Sequence, residues 1–449
     1  MNIKQAKQEI TNTLKAYLAR DELGNYLIPT VRQRPVLLMG PPGVGKTQIM
    51  EQIAAETGVG LVAYTITKQT RQSAIGLPFI EKRTYGGEEV SVTEYTMSEI
   101  LASVYRLMER TGLKEGILFL DEINCVSETL APMMLQFLQC KTFGNQALPE
   151  GWLIVAAGNP PEYNKSVRDF DVVTLDRVKR IDVEEDYGVW KEYARRKNLH
   201  GAILSYLDIK KDNFYRIENT ADGLQFATAR GWEDLSELLY AYETLGIRAD
   251  REVVGQYIQM PRIAKDFANY LELFYKYQKT YHVEGILAGT WENITVLELR
   301  EAPFDEKLSV MGLVLSRLSE EARNTRRQDA LTDALHTALT EFREKIADAP
   351  PLTVLDQLLW KRRTAMKQAR EAGQLDKESR DLRQREINAL EDYRQRLDRE
   401  AVAPEGAMDA VRGWFAEEVQ RRKEQVEATK ALFDNAFRFL ETTFGDSQE

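Results

Sequence analysis

The stretch Gly40-Pro41-Pro42-Gly43-Val44-Gly45-Lys46-Thr47 fits the pattern G-x-x-x-x-G-K-[ST] in full. Before it, Pro35-Val36-Leu37-Leu38-Met39 is a short apolar run of the kind a buried parallel strand needs. After it, Gln48 to Thr57 reads as a helix closed by Gly58. A strand, a glycine loop and a helix in that order form a phosphate cradle. The glycines let backbone N–H groups turn inward toward phosphate oxygens. The helix N-terminus adds unpaired donors and its positive dipole end. Gly40 to Gln48 is therefore the candidate nucleotide-binding segment. Lys46 is expected to reach the β- and γ-phosphates, and the Thr47 hydroxyl to ligate Mg²⁺. The competing reading is a chance match in a glycine loop, and the flanking strand and helix weigh against it.

Working outward, Gly116-Ile117-Leu118-Phe119-Leu120-Asp121-Glu122 is an apolar run ending in two acids. It describes a buried strand with carboxylates at its C-terminal end, where open α/β sheets bind ligands. There Asp121 is expected to hold Mg²⁺, and Glu122 to act as general base on a water attacking the γ-phosphate. The alternative is a solvated acidic turn. Trp152 to Ala157 is a further buried strand, running into Gly158-Asn159-Pro160. The amide of Asn159 suits holding the attacking water or the γ-phosphate, although an isolated Asn before proline is more often a turn former. Leu175-Asp176-Arg177-Val178-Lys179-Arg180-Ile181 closes the α/β part. Arg177 can stabilise charge on a transferring phosphoryl group, from its own or a neighbouring subunit. Taken alone, a surface pair with Asp176 or another acid is the plainer reading.

Between these motifs lie Leu61 to Ile66, a second candidate strand, and two candidate hairpins. One runs from Phe79 to Thr96 around Gly86-Gly87, with a loop longer than two residues; the other runs from Thr142 to Pro149. Met97 to Arg110 reads as a helix closed by Gly112, and Leu130 to Gln139 as another. Residues 1–20 read as a helix on Ile3, Ile10, Leu14 and Leu18. Leu27-Ile28-Pro29 then leads into the first core strand.

From Tyr187 the strand signal fades. Thr228 suits the N-cap of a helix that runs to Leu245 and stops at Gly246. Arg230 in its first turn is at the wrong end for a cation, which a nearby anion would rationalise; otherwise it is a solvated arginine. Residues 281–304 are less regular. Beyond them the chain is helical, with Leu335, Leu339 and Phe342 on one face and Val419, Val426, Phe433 and Leu440 every seven residues along the last helix. The basic run Lys361-Arg362-Arg363 reads as a solvated face.

The domains expected are 1–32, an N-terminal helix and leader; 33–186, a large α/β domain; 187–284, a helical lid; and 285–449, a helical C-terminal domain. The fold class is an α/β P-loop NTPase core, a parallel sheet with helices on both faces, followed by an all-α lid and an α-helical extension. The chain has 449 residues and a formal net charge of -10, which speaks against nonspecific grip on nucleic acid. Cys125 and Cys140 are its only cysteines, which excludes a disulfide framework and fits a cytoplasmic setting. No signal peptide or membrane span is expected. His200, His282 and His336 are its only histidines and form no metal-ligand cluster in the sequence.

With these motifs in hand, the chain resembles the AAA+ ATPases over roughly residues 33–280, and more narrowly the MoxR and dynein-related branch. By that resemblance Asp121 and Glu122 are the Walker B pair, Asn159 is sensor 1, Arg177 is the arginine finger with Arg180 as second candidate, and Arg230 is sensor 2. Both hairpins are similar to inserts that face the pore of a hexameric ring. Cys125-Val126 stand where the family often has Arg-Ala after Asp-Glu-Ile-Asn, and Asp-Arg-Val stands where it has Asp-Arg-Phe. The resemblance implies ATP and Mg²⁺ as ligands, and ATP hydrolysis to ADP and phosphate. It also implies a homo-oligomeric ring, expected to be a hexamer, acting as a chaperone-like motor on a protein client. A partner with a von Willebrand factor A domain is common in the branch. The alternative is a nucleic-acid-dependent AAA+ NTPase of restriction or helicase type.

Overall fold

The computed structural model describes residues 1–68, 70–144, 146–163, 170–220, 223–375 and 377–445. The chain divides into two compact units, Met1–Asp186 with Thr364–Arg380, and Tyr187–Arg363 with Asp381–Glu449.

The first unit opens with α1 (Ile3–Leu18) and β1 (Val36–Met39), then α2 (Lys46–Thr57), β2 (Gly60–Thr65) and the short α3 (Arg71–Ile75). The hairpin of β3 (Pro78–Tyr85) and β4 (Glu88–Tyr95) follows, then α4 (Glu99–Thr111), β5 (Gly116–Asp121) and α5 (Ala131–Cys140). The unit closes with β6 (Thr142–Phe143), β7 (Gln146–Ala147), β8 (Trp152–Gly158), α6 (Val172–Leu175) and β9 (Lys179–Asp182). Five strands form one sheet in the order β2-β5-β8-β1-β9, and every pairing in it is parallel. This is the parallel sheet with helices on both faces that the apolar runs predict.

Alternation along each strand splits the core between the two faces of the sheet. Leu37, Leu118, Leu120 and Ile154 pack with α4 and α5 through Ile100, Val104, Met134 and Phe137. Val36, Leu38, Phe119 and Val155 pack with α1 and α2 through Ile10, Leu14, Met50 and Ile53. β8 is buried along its whole length, as its uninterrupted apolar run requires. β1, β8 and β5 are neighbours, so their C-terminal ends bring three distant loops together.

The β3–β4 hairpin is tighter than its sequence predicts. Tyr85 pairs with Glu88, leaving a two-residue turn in which Gly86 and Gly87 have φ of 62° and 93°. Positive φ at both central positions is what the tightest hairpin turns demand, and two glycines meet it without steric cost.

The sheet edge at β2 is covered from far along the chain. Leu61 N–H donates to Ala372 O at 3.3 Å, and Gln374 Nε2 donates to Val59 O at 3.1 Å. Arg110 pairs with Glu371 at 2.6 Å. Unpaired edge groups invite non-native strand pairing, and this corner satisfies some of them.

The second unit holds α7 (Tyr187–Lys197), α8 (Gly201–Ile209), the hairpin of β10 (Arg216–Thr220) and β11 (Gly223–Ala227), and α9 (Ala229–Leu245). Then come α10 (Arg251–Tyr257), α11 (Pro261–Thr280), α12 (Val283–Ala288), α13 (Asn293–Glu301) and α14 (Phe304–Lys345). Helix α15 (Pro351–Glu371) and helix α16 (Lys377–Arg399) each begin in one unit and end in the other, and α17 (Ala407–Phe444) is last. One apolar cluster runs from Trp190, Tyr206 and Trp232 through Phe267, Ile286 and Leu299 to Val314 and Phe439. The irregular-looking residues 281–304 thus carry two helices whose apolar faces enter that cluster.

Two expectations about the helical region are met in part. Lys361 and Arg363 are exposed, as a solvated face requires, while Arg362 is half-buried, and all three are paired. Lys361 pairs with Glu341 at 2.8 Å, Arg362 with Glu341 at 2.9 Å and Glu386 at 2.7 Å, and Arg363 with Glu391. The run ties α14, α15 and α16 together. On α17 the seven-residue series supplies part of the packed face, Phe433 and Leu440 lying against the apolar cluster. Val426 is exposed, while Thr429, Ala436 and Phe439 are buried, and Thr325 on α14 shares a hydroxyl hydrogen bond with Thr429 at 2.7 Å.

Candidate nucleotide site at the ends of β1, β5 and β8

α2 begins at Lys46, and Gly45 before it has left-handed φ of 93° and no side-chain cap. A helix leaves the N–H groups of its first turn without intrahelical acceptors, and the N-cap glycine has no side chain to take them. The loop therefore presents donors and the positive end of a twelve-residue helix together. Ile3 at the start of α1 lies beside this loop, its Cγ1 4.0 Å from the point where a Cβ on Gly45 would be. Gln48 Oε1 lies 3.5 Å from the same point.

Lys46 is the only buried Lys or Arg among the described residues, at 8% exposure. Its Nζ donates to Gly40 O at 2.6 Å and Pro41 O at 2.9 Å, and to Asn159 Oδ1 at 2.8 Å. An ammonium has three N–H bonds, so these acceptors use its full set. The charge is held by two carbonyls of the loop it serves and by the amide after β8, and engaging a phosphate means exchanging at least one of them.

Thr47 Oγ1 lies 3.1 Å from Asp121 Oδ2. A hydroxyl and a carboxylate side by side are oxygen ligands of the type a small hard cation takes. Asp121 Oδ1 in turn accepts from Glu122 N–H at 2.9 Å. Glu122 has φ of 57°, a conformation that costs a non-glycine residue about 1 kcal/mol or more. Such strain concentrates at working sites. Its Oε2 accepts from Thr67 Oγ1 at 2.5 Å. Thr67 lies in the turn after β2, the strand beside β5, and no sequence signal marks it.

Asn159 reaches Lys46 with its Oδ1. Its backbone carbonyl accepts from Asn124 Nδ2 at 2.8 Å, and Ile123 N–H donates to Ala157 O at 2.9 Å. The acidic loop after β5 is thus bonded to the end of β8 by backbone and side chain. Beside Gly40 and Pro41 opens a cavity of about 530 Å³, also lined by Pro160, Tyr163, Arg180 and Glu184.

The structure brings Lys46, Thr47, Asp121, Glu122 and Asn159 together from three sequence-distant loops. Arg177 is exposed and donates to Gln139 on α5, and the Asp171 carboxylate is near enough to feel its charge. Arg180 is committed to Asp182, with Nε to Oδ1 at 2.8 Å. Arg230 belongs to the second unit, exposed in the first turn of α9. There Thr228 caps the helix through Gly231 N–H at 3.3 Å, as its sequence position predicts.

Residues 35–178 match the sequence family described as "AAA domain (dynein-related subfamily)". The match supports an AAA+ ATPase domain with nucleotide-binding P-loop chemistry in this part of the chain. No curated protein matches the chain. Among solved structures it is similar to a RuvB mutant of Thermotoga maritima, at 18% identity and a TM-score of 0.31, over 58% of this chain and 69% of that one. No helix among the described residues is long and apolar enough to cross a membrane.

Proposed function

We propose that the chain binds ATP with Mg²⁺ at the ends of β1, β5 and β8, hydrolyses it to ADP and phosphate, and uses the turnover as a MoxR-like, chaperone-like ring motor on a protein partner. The observation that carries the ATPase reading is the buried Lys46 ammonium, held between the loop carbonyls and Asn159 Oδ1. A buried cation is expensive unless it has a task or a full set of partners. Here two of the partners belong to the loop that would cradle the phosphates.

The residues divide the work by their chemistry. The N–H groups from Gly43 to Gln48 hold the β-phosphate region by charge-assisted bonds. Lys46 trades carbonyl or amide acceptors for phosphate oxygens. Thr47 and Asp121 would hold Mg²⁺, which would supply positive charge against the phosphates there. Glu122 takes a proton from the attacking water once its carboxylate is turned to it. Asn159 offers its Nδ2 to the γ-phosphate or that water, because its Oδ1 already faces Lys46. Arg177, exposed and held by a neutral amide, is suited to reach the γ-phosphate of a neighbouring copy. The sensor 2 role of Arg230 rests on resemblance to the family. The ring, its hexameric form and a partner with a von Willebrand factor A domain rest on resemblance to the branch.

Nucleotide titration and phosphate release with Lys46→Ala and Glu122→Gln test the ATPase reading. Lys46→Ala should lose binding, and Glu122→Gln should keep binding but lose turnover. Unchanged ATP binding and turnover in Lys46→Ala would overturn it. Affinity capture on the Glu122→Gln protein in ATP tests the motor, which predicts a protein client retained with ATP and released without it.

A further inference from the structure

Asn124 stands outside the roles assigned above, yet it is among the most enclosed polar residues of the first unit, at 3% exposure. Its amide sits where the loop after β5 meets the end of β8. Nδ2 donates to Asn159 O at 2.8 Å. Oδ1 is buried and has no hydrogen-bond partner. A Cβ on Gly158 would lie 2.6 Å from that Oδ1, closer than side-chain carbons come to a carboxamide oxygen. The contact therefore requires the glycine.

A buried amide with half its hydrogen-bonding capacity unused is costly. The loop after β5 is already bonded to β8 through Ile123 N–H and Ala157 O, so an apolar side chain at 124 would leave that bond in place. What only the amide supplies is a donor for the Asn159 peptide. That peptide sets the direction of the Asn159 side chain, and the side chain holds Lys46 Nζ at 2.8 Å.

We infer that Asn124 is a positioning residue for the reaction, acting through Asn159. It fixes the Asn159 carbonyl so that the amide faces the lysine and the γ-phosphate position. It also makes the acidic pair Asp121–Glu122 and the β8 amide one rigid piece. The inference rests on the proposed nucleotide site and adds to it a residue that touches neither phosphate nor metal. Holding reacting groups in register is worth large factors, because small misplacements cost rate steeply.

The test is a double-mutant cycle on the full chain with Asn124→Asp, which keeps the shape and removes the donor, and Asn159→Ala. Steady-state ATP hydrolysis should show kcat lowered about tenfold or more in each single variant, with KM for ATP within about twofold of wild type. The double variant should be no slower than Asn159→Ala, because both changes break one linkage. A packing role alone predicts losses that multiply, and that result overturns the inference, as does wild-type kcat in Asn124→Asp. Should Asn124→Asp fail to fold, Asn124→Ala takes its place in the same cycle with the same criteria. Wild-type protein that neither binds nor hydrolyses ATP would overturn this inference and the nucleotide site together; a wild-type rate in the Asn124 variants alone would overturn only this inference.

Discussion

Replacing Thr67 by Val removes one hydroxyl and nearly nothing else. In the structure that hydroxyl donates to Glu122 Oε2 at 2.5 Å, in a partly solvated setting. A hydrogen bond to a carboxylate contributes about 1.5 kcal/mol or somewhat less when water competes for it. At about 1.4 kcal/mol the carboxylate is free of Thr67 in roughly one molecule in ten. If Glu122 has to leave Thr67 before it can take a proton from water, Thr67→Val should raise basal kcat several-fold, with a ceiling of about tenfold. KM for ATP should hold, because the Thr67 hydroxyl donates to Glu122. The assay is steady-state phosphate release at saturating ATP and Mg²⁺. Glu122→Gln alone and combined with Thr67→Val serves as control, and the two should be equally slow. A kcat that falls in Thr67→Val refutes the reasoning and makes the bond one that aims the carboxylate. An unchanged kcat refutes it too, since the latch would then carry no cost.

Arg177→Ala should abolish turnover while leaving ATP binding, and its mixture with Glu122→Gln protein should regain part of the rate. In the mixture an intact acid in one copy meets an intact arginine from the next; a mixture that stays inactive while assemblies form removes the arginine from this role. Lys141, whose Nζ donates to Thr30 O at 2.9 Å, has its pKa pushed down from 10.5 to about 8 by burial. The unfolded chain therefore holds this proton across the window from about pH 8 to 10.5 while the folded chain sheds it, so Lys141 makes stability rise with pH there. Denaturant midpoints of wild type and Lys141→Met, compared across that window, should show a smaller rise in the variant; parallel curves would refute the assignment.

How much of this is legible in the sequence depends on whether the information is local. Gly40 to Thr47 with its apolar strand, and the acid pair ending Gly116–Glu122, are contiguous signals, since phosphate cradles and buried strands are encoded within a few residues. Thr67 and Asn124 carry no such signal. A threonine after a strand and an asparagine after two acids are ordinary residues until the sheet order sets β2 beside β5 and β5 beside β8. The β-prone runs alone make the hairpin loop too long, because φ at two glycines decides where pairing stops. The ion pairs of Lys361, Arg362 and Arg363 are not legible in the sequence because Glu341, Glu386 and Glu391 are remote.

The sequence by itself determined the fold class and the chemistry of its phosphate loop and acidic strand end, because burial on both faces and backbone geometry leave periodic, short-range marks. Only the tertiary structure decided which side chains hold those groups. It gave Lys46 to Asn159, Glu122 to Thr67 and the Asn159 peptide to Asn124, and it capped the β2 edge with residues around 372–374. Hydrogen bonds of that kind depend on which strands become neighbours, and strand order is a property of the folded chain that no local stretch contains.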